Sequence, residues 1–220
     1  MLMKQLTVKH IAHAVTDAAL VSAALDEAGV EAHAIGCVDW PADYPYAPAA
    51  TFRIAHTGSA ILIDYRVAEQ SVAAVAPHDN GRVWEDSCCE FFFKPEGGDV
   101  YYNVECNCAG TLLVGCGPHR EGRELAGPSV LGGVQRWSSL GRTPFAERVS
   151  PVSWQLSLII PVATAFRSSL PSLCGQRMTA NFYKCGDKLQ QPHFLSWAPI
   201  HLPSPDFHRP DFFGQLLFEP

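Results

Sequence analysis

Short β-forming runs separated by glycine and proline turns restrict the fold of this chain more than any other feature of its sequence. The 220 residues include 17 glycines and 17 prolines, and both residue types favour turns. Strands are predicted at residues 51–67 (as a hairpin turning at 56–59), 88–94, 100–114, 130–137, 152–161, 178–184 and 214–218. Many short strands of this kind are typical of an all-β, antiparallel β-sandwich.

The N-terminal region carries the one predicted helix. Residues 4–15 are predicted to form a strand, and the alanine- and leucine-rich residues 16–29 are predicted to form a short helix. Thr16 or Asp17 can cap its amino end, because their side-chain oxygens accept hydrogen bonds from free backbone N–H groups. Gly29 is placed to end it, since glycine adopts the left-handed conformation that often follows a helix.

The length of the chain indicates one domain. A chain of 220 residues lies at the upper end of a single β-sandwich and can bury a substantial core. Residues 115–129 are rich in glycine and charge with little periodicity, which predicts a long loop within that domain. We expect residues 1–220 to form one β-sandwich, with residues 1–49 as a strand and helix extension packed on it.

Charge and hydropathy argue against several partners. The formal net charge is −6, from 16 basic and 22 acidic residues, whereas binding to a phosphate backbone needs a dense basic surface, so no nucleic-acid partner is expected. The longest apolar runs, such as residues 156–160, are far shorter than the roughly 20 residues of a membrane-spanning helix, so no membrane is expected either. The first 15 residues lack the apolar core of a secretory signal. We therefore expect a cytoplasmic protein, or a periplasmic or secreted one if a signal has been removed.

Eight cysteines raise the question of disulfides. Cys88 and Cys89 are adjacent, and Cys106 and Cys108 lie two apart on a predicted strand, where their side chains stand about 7 Å apart. Neither local pair suits a disulfide. Because the chain shows no secretory signal, we expect reduced thiols, mostly buried, that pack as small hydrophobic side chains.

Residues 82–94, RVWEDSCCEFFFK, combine an indole, several carboxylates and a strongly β-forming run. A sugar ring presents apolar C–H groups on its faces and hydroxyls at its edge. Trp84 is therefore suited to covering a ring face, while a buried Glu90 accepts hydrogen bonds from hydroxyls. Glu90 also has a structural interpretation, as the partner of an inner basic residue such as Arg209 or Lys184. The segment indicates binding more than bond-breaking.

Alternation along the following strand places Tyr101, Asn103, Glu105 and Asn107 on one face. This row predicts fixed hydrogen-bonding groups, although a polar outer face is also the ordinary state of a sandwich strand. If Glu90 lies on the adjacent strand, it and Glu105 could form the carboxylate pair of a glycoside hydrolase.

Other chemistry has less support. CxxC, HExxH and GxSxG patterns are absent, so neither a zinc site nor an activated nucleophile is predicted. Asp79 and Asp86 are loop carboxylates that could bind calcium through oxygen ligands, without an EF-hand pattern. The aromatic-rich loops at residues 39–48 and 203–213 leave a further alternative, a surface that binds another protein chain.

Several sequence blocks together resemble the family 9 carbohydrate-binding modules and their relatives among the DOMON-like β-sandwiches. The blocks are RVWEDSCCEFFF, YYNVECNCAGTL, WQLSLIIP, ANFYKCGD, LSWAPI and FHRPDFFGQLLFE, which run from about residue 50 to the C-terminus. The resemblance implies a jelly-roll-like sandwich that binds a mono- or oligosaccharide and performs no chemistry on it. Some members bind calcium structurally, and DOMON relatives that bind haem need axial Met or His ligands, for which no motif is present here.

The resemblance also implies how the sugar is held, between two tryptophans with polar side chains at its hydroxyls. Trp84 resembles one plate and Glu90 resembles the acidic residue. Trp197 is the choice for the second plate, with Trp154 and Trp137 as alternatives. The further predicted ligand-binding residues are Asn103, Glu105, Asn181, Lys184 and Arg209.

Overall fold

β-Strands are the main regular elements of the structure, a computed structural model that describes residues 3–220. The strands of the first half of the chain are β1 Gln5–His10, β2 His33–Ala34, β3 Cys37–Val38, β4 Ala49–His56, β5 Ala60–Ala74, β6 Cys88–Pro95 and β7 Tyr101–Asn107. Those of the second half are β8 Leu112–Gly117, β9 Glu124–Leu125, β10 Gln135–Ser138, β11 Phe145–Pro161, β12 Arg177–Cys185, β13 Phe194–Ser196 and β14 Gly214–Phe218. The α-helices are α1 Val21–Glu27 and α2 Pro128–Gly133, and single 3-10 turns lie at Ala18–Leu20, Val83–Glu85, Val162–Thr164 and Pro210–Phe212.

Strand β1 joins the two sheets of the sandwich. Its first part, from Gln5 to Val8, pairs with β14, and its last two residues, Lys9 and His10, pair with β4. The first sheet continues from β14 through β12, β6, β7 and β8 to β9, and the second from β4 through β5 and β11 to β10. Both pairings of β1 are parallel and the others are antiparallel. The predicted all-β sandwich is confirmed, with this parallel junction as an addition.

The N-terminal segment is part of the sandwich. Because β1 lies between β4 and β14, the two sheets would lose their junction without it. The short strands β2 and β3 also pair with the body of the fold, β2 with β4 and β3 with β13. Within the described residues 3–49, strands β1, β2 and β3 thus each pair with strands of the sandwich.

Apolar side chains of both sheets fill the space between them. Alternation on β6 points Phe91 and Phe93 into this core, and Phe182 of β12 stacks on Phe91 with ring centroids 4.9 Å apart. Phe52 of β4 crosses from the opposite sheet and stacks on Phe182 at 3.6 Å. Each ring is wholly or almost wholly buried, and burial of one such side chain contributes about 1.5–3 kcal/mol. The core thus ties the two sheets together through aromatic contacts.

Several elements differ from their predicted bounds. The predicted strand at residues 100–114 is a hairpin, β7–β8, because the Asn107 side-chain carbonyl accepts hydrogen bonds from the N–H groups of Ala109 and Thr111 and so forms a turn. Gly110 in that turn has φ +77. Strands β5 and β11 are longer than predicted, and β11 departs from regular register with β5 at two places near its start.

The predicted helix is confirmed in outline, and a second one was not predicted. Asp17 caps the 3-10 turn Ala18–Leu20 by accepting from the N–H of Ala19. Helix α1 follows directly and ends at Glu27, two residues before Gly29, which has φ +62. Helix α2 lies where the sequence predicts the end of a loop and the start of a strand, with Pro128 in its first turn. Among residues 3–220, the structure contains no helix long and apolar enough to cross a bilayer.

The thiols are mainly core residues. Six of the eight cysteines are buried, while Cys37 is half-buried and Cys174 is exposed. Within residues 3–220 none is joined in a disulfide. Burial raises the pKa of the Cys106 thiol well above its ordinary value, because the thiolate would lose its solvation. These thiols fit the predicted packing role.

A buried ion pair lies on the inner side of β12. The Lys184 ammonium is 2.9 Å from Glu69 Oε2, lies 2.7 Å from His193 Nε2 and donates to the carbonyl of Cys185. Trp154 Nε1 donates to the other oxygen of Glu69 at 2.6 Å. Burial lowers the pKa of His193, with the nearby Lys184 charge acting in the same direction, so the ring is neutral and can accept from the ammonium. Lys184 and Glu69 compensate each other inside the core.

Removing one member of this ion pair should leave the charge of the other buried without a counter-ion. We expect Lys184→Met to lower the free energy of unfolding by about 3–5 kcal/mol, since Glu69 would be left buried without its cation. Adding Glu69→Gln removes the unpaired buried charge and keeps an acceptor for Trp154. The double variant should therefore regain much of the free energy of unfolding that Lys184→Met loses. Urea unfolding of the native chain, both single variants and the double variant measures this coupling. A double variant whose loss of stability equals the sum of the two single losses would contradict this coupling.

Candidate functional site

Polar and aromatic side chains meet on the outer face of the first sheet. Register pairs Glu90 of β6 with Glu105 of β7, and Glu90 with Tyr183 of β12. An open cavity of about 510 Å³ lies over these strands. It is lined by Tyr44, Trp84, Glu90, Glu105, Arg120, Glu121, Arg123, Cys185, Asp187, Phe194, Pro205, Asp206, Phe207 and His208. The predicted alternation of β6 and β7 is thus what places both glutamates in one cavity.

The loop at residues 39–48 forms part of the cavity wall. Asp39 anchors it, because its carboxylate accepts from Ser196 Oγ at 2.6 Å and from the N–H of Ile200 at 3.0 Å. Tyr44 then reaches the cavity and packs edge-on against Phe194, with ring centroids 4.7 Å apart. This anchored loop supplies one aromatic side of the site.

The loop around Phe207 supplies a second part of the wall. Phe207 stacks on Tyr183 at 4.1 Å between ring centroids, with the rings nearly parallel. Trp40 packs behind Phe207 and Phe194, and its indole N–H donates to the carbonyl of Leu202. The rings support one another, so the wall is rigid on its inner side.

Trp84 enters the cavity from a separate short turn. It is half-buried and lies in the 3-10 turn Val83–Glu85, just before β6. The backbone of this turn is fixed to the end of β12: the carbonyl of Trp84 accepts from the N–H of Asp187, and that of Glu85 from the N–H of Lys188. Trp84 is therefore a positioned, partly exposed indole, as a stacking plate requires.

Glu90 and Glu105 are buried carboxyl groups, each 3% exposed. Cys185 Sγ donates to Glu90 Oε1 at 3.1 Å, and Asn103 Nδ2 donates to Glu105 Oε1 at 2.9 Å. Burial raises the pKa of Glu105 to about 7. Burial, with repulsion from Glu105, raises the pKa of Glu90 well above its usual value. The pair therefore holds a proton near neutral pH, so it can both donate and accept hydrogen bonds.

A cation lies beside this pair. Arg123 Nη1 is 3.9 Å from Glu105 Oε1 and 2.9 Å from His208 Nδ1. Tyr101 Oη lies 2.9 Å from the same ring nitrogen. Burial and the Arg123 charge lower the pKa of His208, so its ring stays neutral and Nδ1 accepts. The guanidinium is held in place with donors left to face the cavity, since it carries five N–H groups.

Asp187 adds a third carboxyl group at the mouth of the site. Burial, together with the charge of Glu85, raises the pKa of Asp187 to about 6. Arg120 pairs with Asp206 across the same opening at 3.8 Å, and both are more exposed. Half-buried indole and phenyl groups beside fixed donors and acceptors suit a ligand with apolar faces and a hydroxylated edge.

The tryptophans proposed as the second plate lie elsewhere. Trp197 is 4% exposed and belongs to the core between the sheets, where it packs edge-on against Phe52 and Phe182. Trp154 is buried and bonded to Glu69, and Trp137 packs against the cluster around α1. None of the three lines the cavity with Trp84, because each packs in another part of the molecule. The aromatic partners there are Tyr44, Phe194 and Phe207.

Four further predicted ligand-binding residues are not in the cavity wall. Lys184 points to the opposite face of β12 and pairs with Glu69. Asn181 holds the backbone of Ala198 through both ends of its amide. Arg209 lies at the surface and bonds to Asp211, so neither Arg209 nor Lys184 is the partner of Glu90. Asn103 is buried and acts through its hydrogen bond to Glu105.

The two calcium candidates serve as hydrogen-bond acceptors. Asp79 accepts from Arg136 at 2.8 Å and from the N–H of Leu112. Asp86 accepts from the backbone of Val75 and Ala76, and from Asn107. These contacts use their oxygens to hold loops in place. In the described part of the chain, neither belongs to a group of three metal-ligating side chains.

The loops considered as a protein-binding surface are largely occupied within the molecule. Trp40 and Phe207, one from each loop, are 5% and 8% exposed and pack in the outer cluster. Sequence reasoning found both loops by their aromatic content but gave them a different role. Arg123 and Asp187 were not predicted from the sequence. The only sequence feature that marks them is that each is a charged residue directly after a glycine.

Comparison with known proteins identifies the family. A profile of carbohydrate-binding family 9 matches residues 19–218. The chain is 54% identical to a candidate carbohydrate-binding protein from Bacteroides uniformis, over 99% of this chain and 100% of that one, with a TM-score of 0.96. Two structures of a family 9 carbohydrate-binding module from Caldicellulosiruptor kristjanssonii, with cellotriose and with glucose, share 12% and 11% identity and have TM-scores of 0.58 and 0.54. They cover 98% of this chain, and 94% and 96% of theirs. No curated protein sequence matches the chain.

The fold and the site thus define a jelly-roll-like β-sandwich with an open cavity, lined by polar and aromatic side chains, on one sheet. The profile match spans most of the chain, so the protein belongs to carbohydrate-binding family 9. The resemblance noted in the sequence is confirmed. This is a family of non-catalytic binding modules.

The raised pKa of Glu105 predicts a pH dependence of stability. Between about pH 4.5, the ordinary glutamate value, and pH 7, the unfolded chain has released this proton while the folded chain still holds it. The free energy of unfolding contributed by Glu105 therefore falls as pH rises through that window. Glu105→Gln removes the titration and keeps an acceptor for Asn103. We expect the variant to gain stability relative to the native chain between pH 4.5 and pH 7, as measured by urea unfolding.

Subtracting the free energy of unfolding of the native chain from that of Glu105→Gln separates the effect of Glu105 from that of the other titratable groups, which both chains share. His208, whose pKa is lowered by burial, contributes stability that changes with pH in the opposite direction. A stability difference that stays constant or shrinks as pH rises would contradict a raised pKa at Glu105.

Proposed function

We propose that the protein binds a sugar residue, without catalysis, in the cavity beneath Trp84. The observation that carries the proposal is the juxtaposition of this half-buried indole with the buried carboxyl pair Glu90 and Glu105. An indole attracts the C–H face of a sugar ring, and carboxyl groups bind its hydroxyls. The cavity volume of about 510 Å³ lies within the range of small-molecule sites, about 300–1,000 Å³.

The polar groups have distinct proposed roles. Glu90, Glu105 and Asp187 accept hydrogen bonds from hydroxyls, and whichever carboxyl group holds a proton also donates one. Arg120 and Arg123 donate to hydroxyl or ring oxygens. Because a hydroxyl both donates and accepts, it matches a site that contains both kinds of group. Buried groups that need partners discriminate strongly against ligands that lack them.

Glucose and cello-oligosaccharides are the proposed first ligands to test. The two family 9 modules from Caldicellulosiruptor kristjanssonii are complexes with cellotriose and with glucose. The open side of the cavity, near the exposed Arg120 and Glu121, leaves room for a ligand to extend from the bound residue. We therefore propose a mono- or oligosaccharide held by one terminal residue.

Removal of the Trp84 indole should abolish most of this binding. We expect Trp84→Ala to weaken the affinity for glucose or cellotriose by about 2 kcal/mol or more, roughly 30-fold, as for other central aromatic contacts. The sugar-dependent change in tryptophan fluorescence should disappear with it. Titration calorimetry and fluorescence measure the two effects.

Trp137→Ala is the matched control, because Trp137 is also half-buried but lies outside the cavity. This variant should keep the affinity and the fluorescence response of the native chain. An unchanged affinity in Trp84→Ala, or no response of the native chain to a broad panel of mono- and oligosaccharides, would overturn the proposal.

The carboxyl pair also allows a direct test against hydrolysis. Glu90 and Glu105 are cross-strand neighbours that line one cavity, and glycoside hydrolases act through two carboxyl groups that flank the bond to be cleaved. We expect no release of chromophore from aryl glycosides, whereas sugar binding is retained. Turnover that is lost in both Glu90→Gln and Glu105→Gln would replace binding by glycoside hydrolysis as the function.

A further inference from the structure

Two imidazoles and one thiol converge at the end of the β4–β5 hairpin, outside the cavity. The cluster consists of His10 at the end of β1, His56 at the end of β4, and Cys174 in the loop before β12. One potential ligand atom from each lies within 4.8 Å of those of the other two. The His10 and His56 rings stack at 4.8 Å between centroids. Three chain segments therefore bring nitrogen and sulfur donors to one point.

Gly58 lies beside this cluster and puts no side chain against it. It has φ +80, and a Cβ at this position would lie 3.3 Å from Cys174 Sγ and 3.9 Å from His10 Nε2. Its carbonyl accepts from the N–H of Leu173 at 2.7 Å, and Ser172 Oγ accepts from the N–H of Cys174. These bonds fix the loop that presents the thiol.

His10 is held in the tautomer that a metal ligand needs. Its Nδ1 lies 2.7 Å from a main-chain oxygen of Pro220. That oxygen accepts, so Nδ1 carries the proton and the lone pair is at Nε2, the atom near Gly58. A carboxylate or backbone oxygen on the second nitrogen is the common support of a metal-bound histidine. The carboxylate of Glu219, which accepts from the N–H of His10, adds negative charge beside the cluster.

His56 supplies an independent observation. The residue is wholly buried, and its Nε2 has no hydrogen-bond partner among residues 3–220. Its Nδ1 makes one contact of 3.2 Å with the N–H of Gly58. A buried ring nitrogen without a partner is uncommon and costs stability. One nitrogen of His56 is thus available to an ion for the loss of at most one long hydrogen bond.

We propose that His10, His56 and Cys174 form a zinc site. Two imidazoles and a thiolate are ligands that Zn²⁺ prefers, whereas calcium requires oxygen ligands. Cys174 is exposed, so an ion has an entry path and water can take the fourth position. The site would join the loop before β12 to the junction strand β1. It is separate from the sugar cavity and does not depend on the proposed sugar binding.

Cobalt substitution of the full chain tests the site, because Co²⁺ reports its ligands by absorption. We expect one Co²⁺ to bind per chain. Its spectrum should show a thiolate-to-cobalt charge-transfer band in the near ultraviolet and d–d bands of tetrahedral type. Zn²⁺ should displace the cobalt, so that all of these bands disappear. Cys174→Ser should lose the charge-transfer band. His10→Ala should weaken zinc affinity by at least about 100-fold, the upper end of the loss seen when only an outer partner is removed.

His13→Ala is the matched control, since His13 is exposed and close in sequence to His10 but outside the cluster. It should bind zinc as the native chain does. Failure of the native chain to bind one equivalent of zinc would overturn the proposal. Zinc binding that survives in both Cys174→Ser and His10→Ala would also overturn it. The zinc would then have to bind elsewhere, for example at the buried group Cys88, Glu90 and Cys185.

Discussion

The parallel pairing of β1 with both β14 and β4 is the constraint on which the rest of the sandwich depends. One six-residue strand gives its first part to one sheet and its last part to the other. The two sheets are therefore parts of one continuous curled sheet. The hydrogen bonds of β1, as well as the side chains of the core, hold their inner faces together. Once the inner faces are paired by Phe52, Phe91 and Phe182, every second side chain of β6, β7 and β12 must point outward.

That outward row explains why charged groups are buried on this side of the fold. Loops anchored by Asp39 and by the backbone of Trp84 cover the row and remove water from Glu90 and Glu105. The carboxyl groups are neutralised partly by retained protons and partly by Arg123. Such an arrangement costs stability in the free protein and leaves polar groups with unused hydrogen-bonding capacity. A site of this type is pre-organised for a polar ligand.

The spacing of short strands and turns made the sandwich predictable, and period-two alternation along β6 and β7 indicated Glu90 and Glu105 as a possible cross-strand pair. Together with Trp84, these are the predicted residues that line the cavity. Alternation could not distinguish inner from outer tryptophans, because the surroundings of Trp154 on β11 and of Trp197 after β13 depend on tertiary packing. It also could not locate Arg123 or Asp187, which lie where chain connections have no periodicity. Likewise His10, His56 and Cys174 share no local spacing. The pairing of β1 with β4 and the docking of the loop before β12 on the β4–β5 hairpin bring them together.

The cavity wall draws on residues from Tyr44 to His208, with the sheet beneath it closed by a strand at residues 214–218. Bringing such distant parts of a chain together costs loop-closure entropy and slows folding. During synthesis Trp84 and Glu90 emerge from the ribosome well before Phe194 and Phe207, which lie on the other side of the cavity. The cavity is therefore complete only when nearly the whole chain has been made and packed.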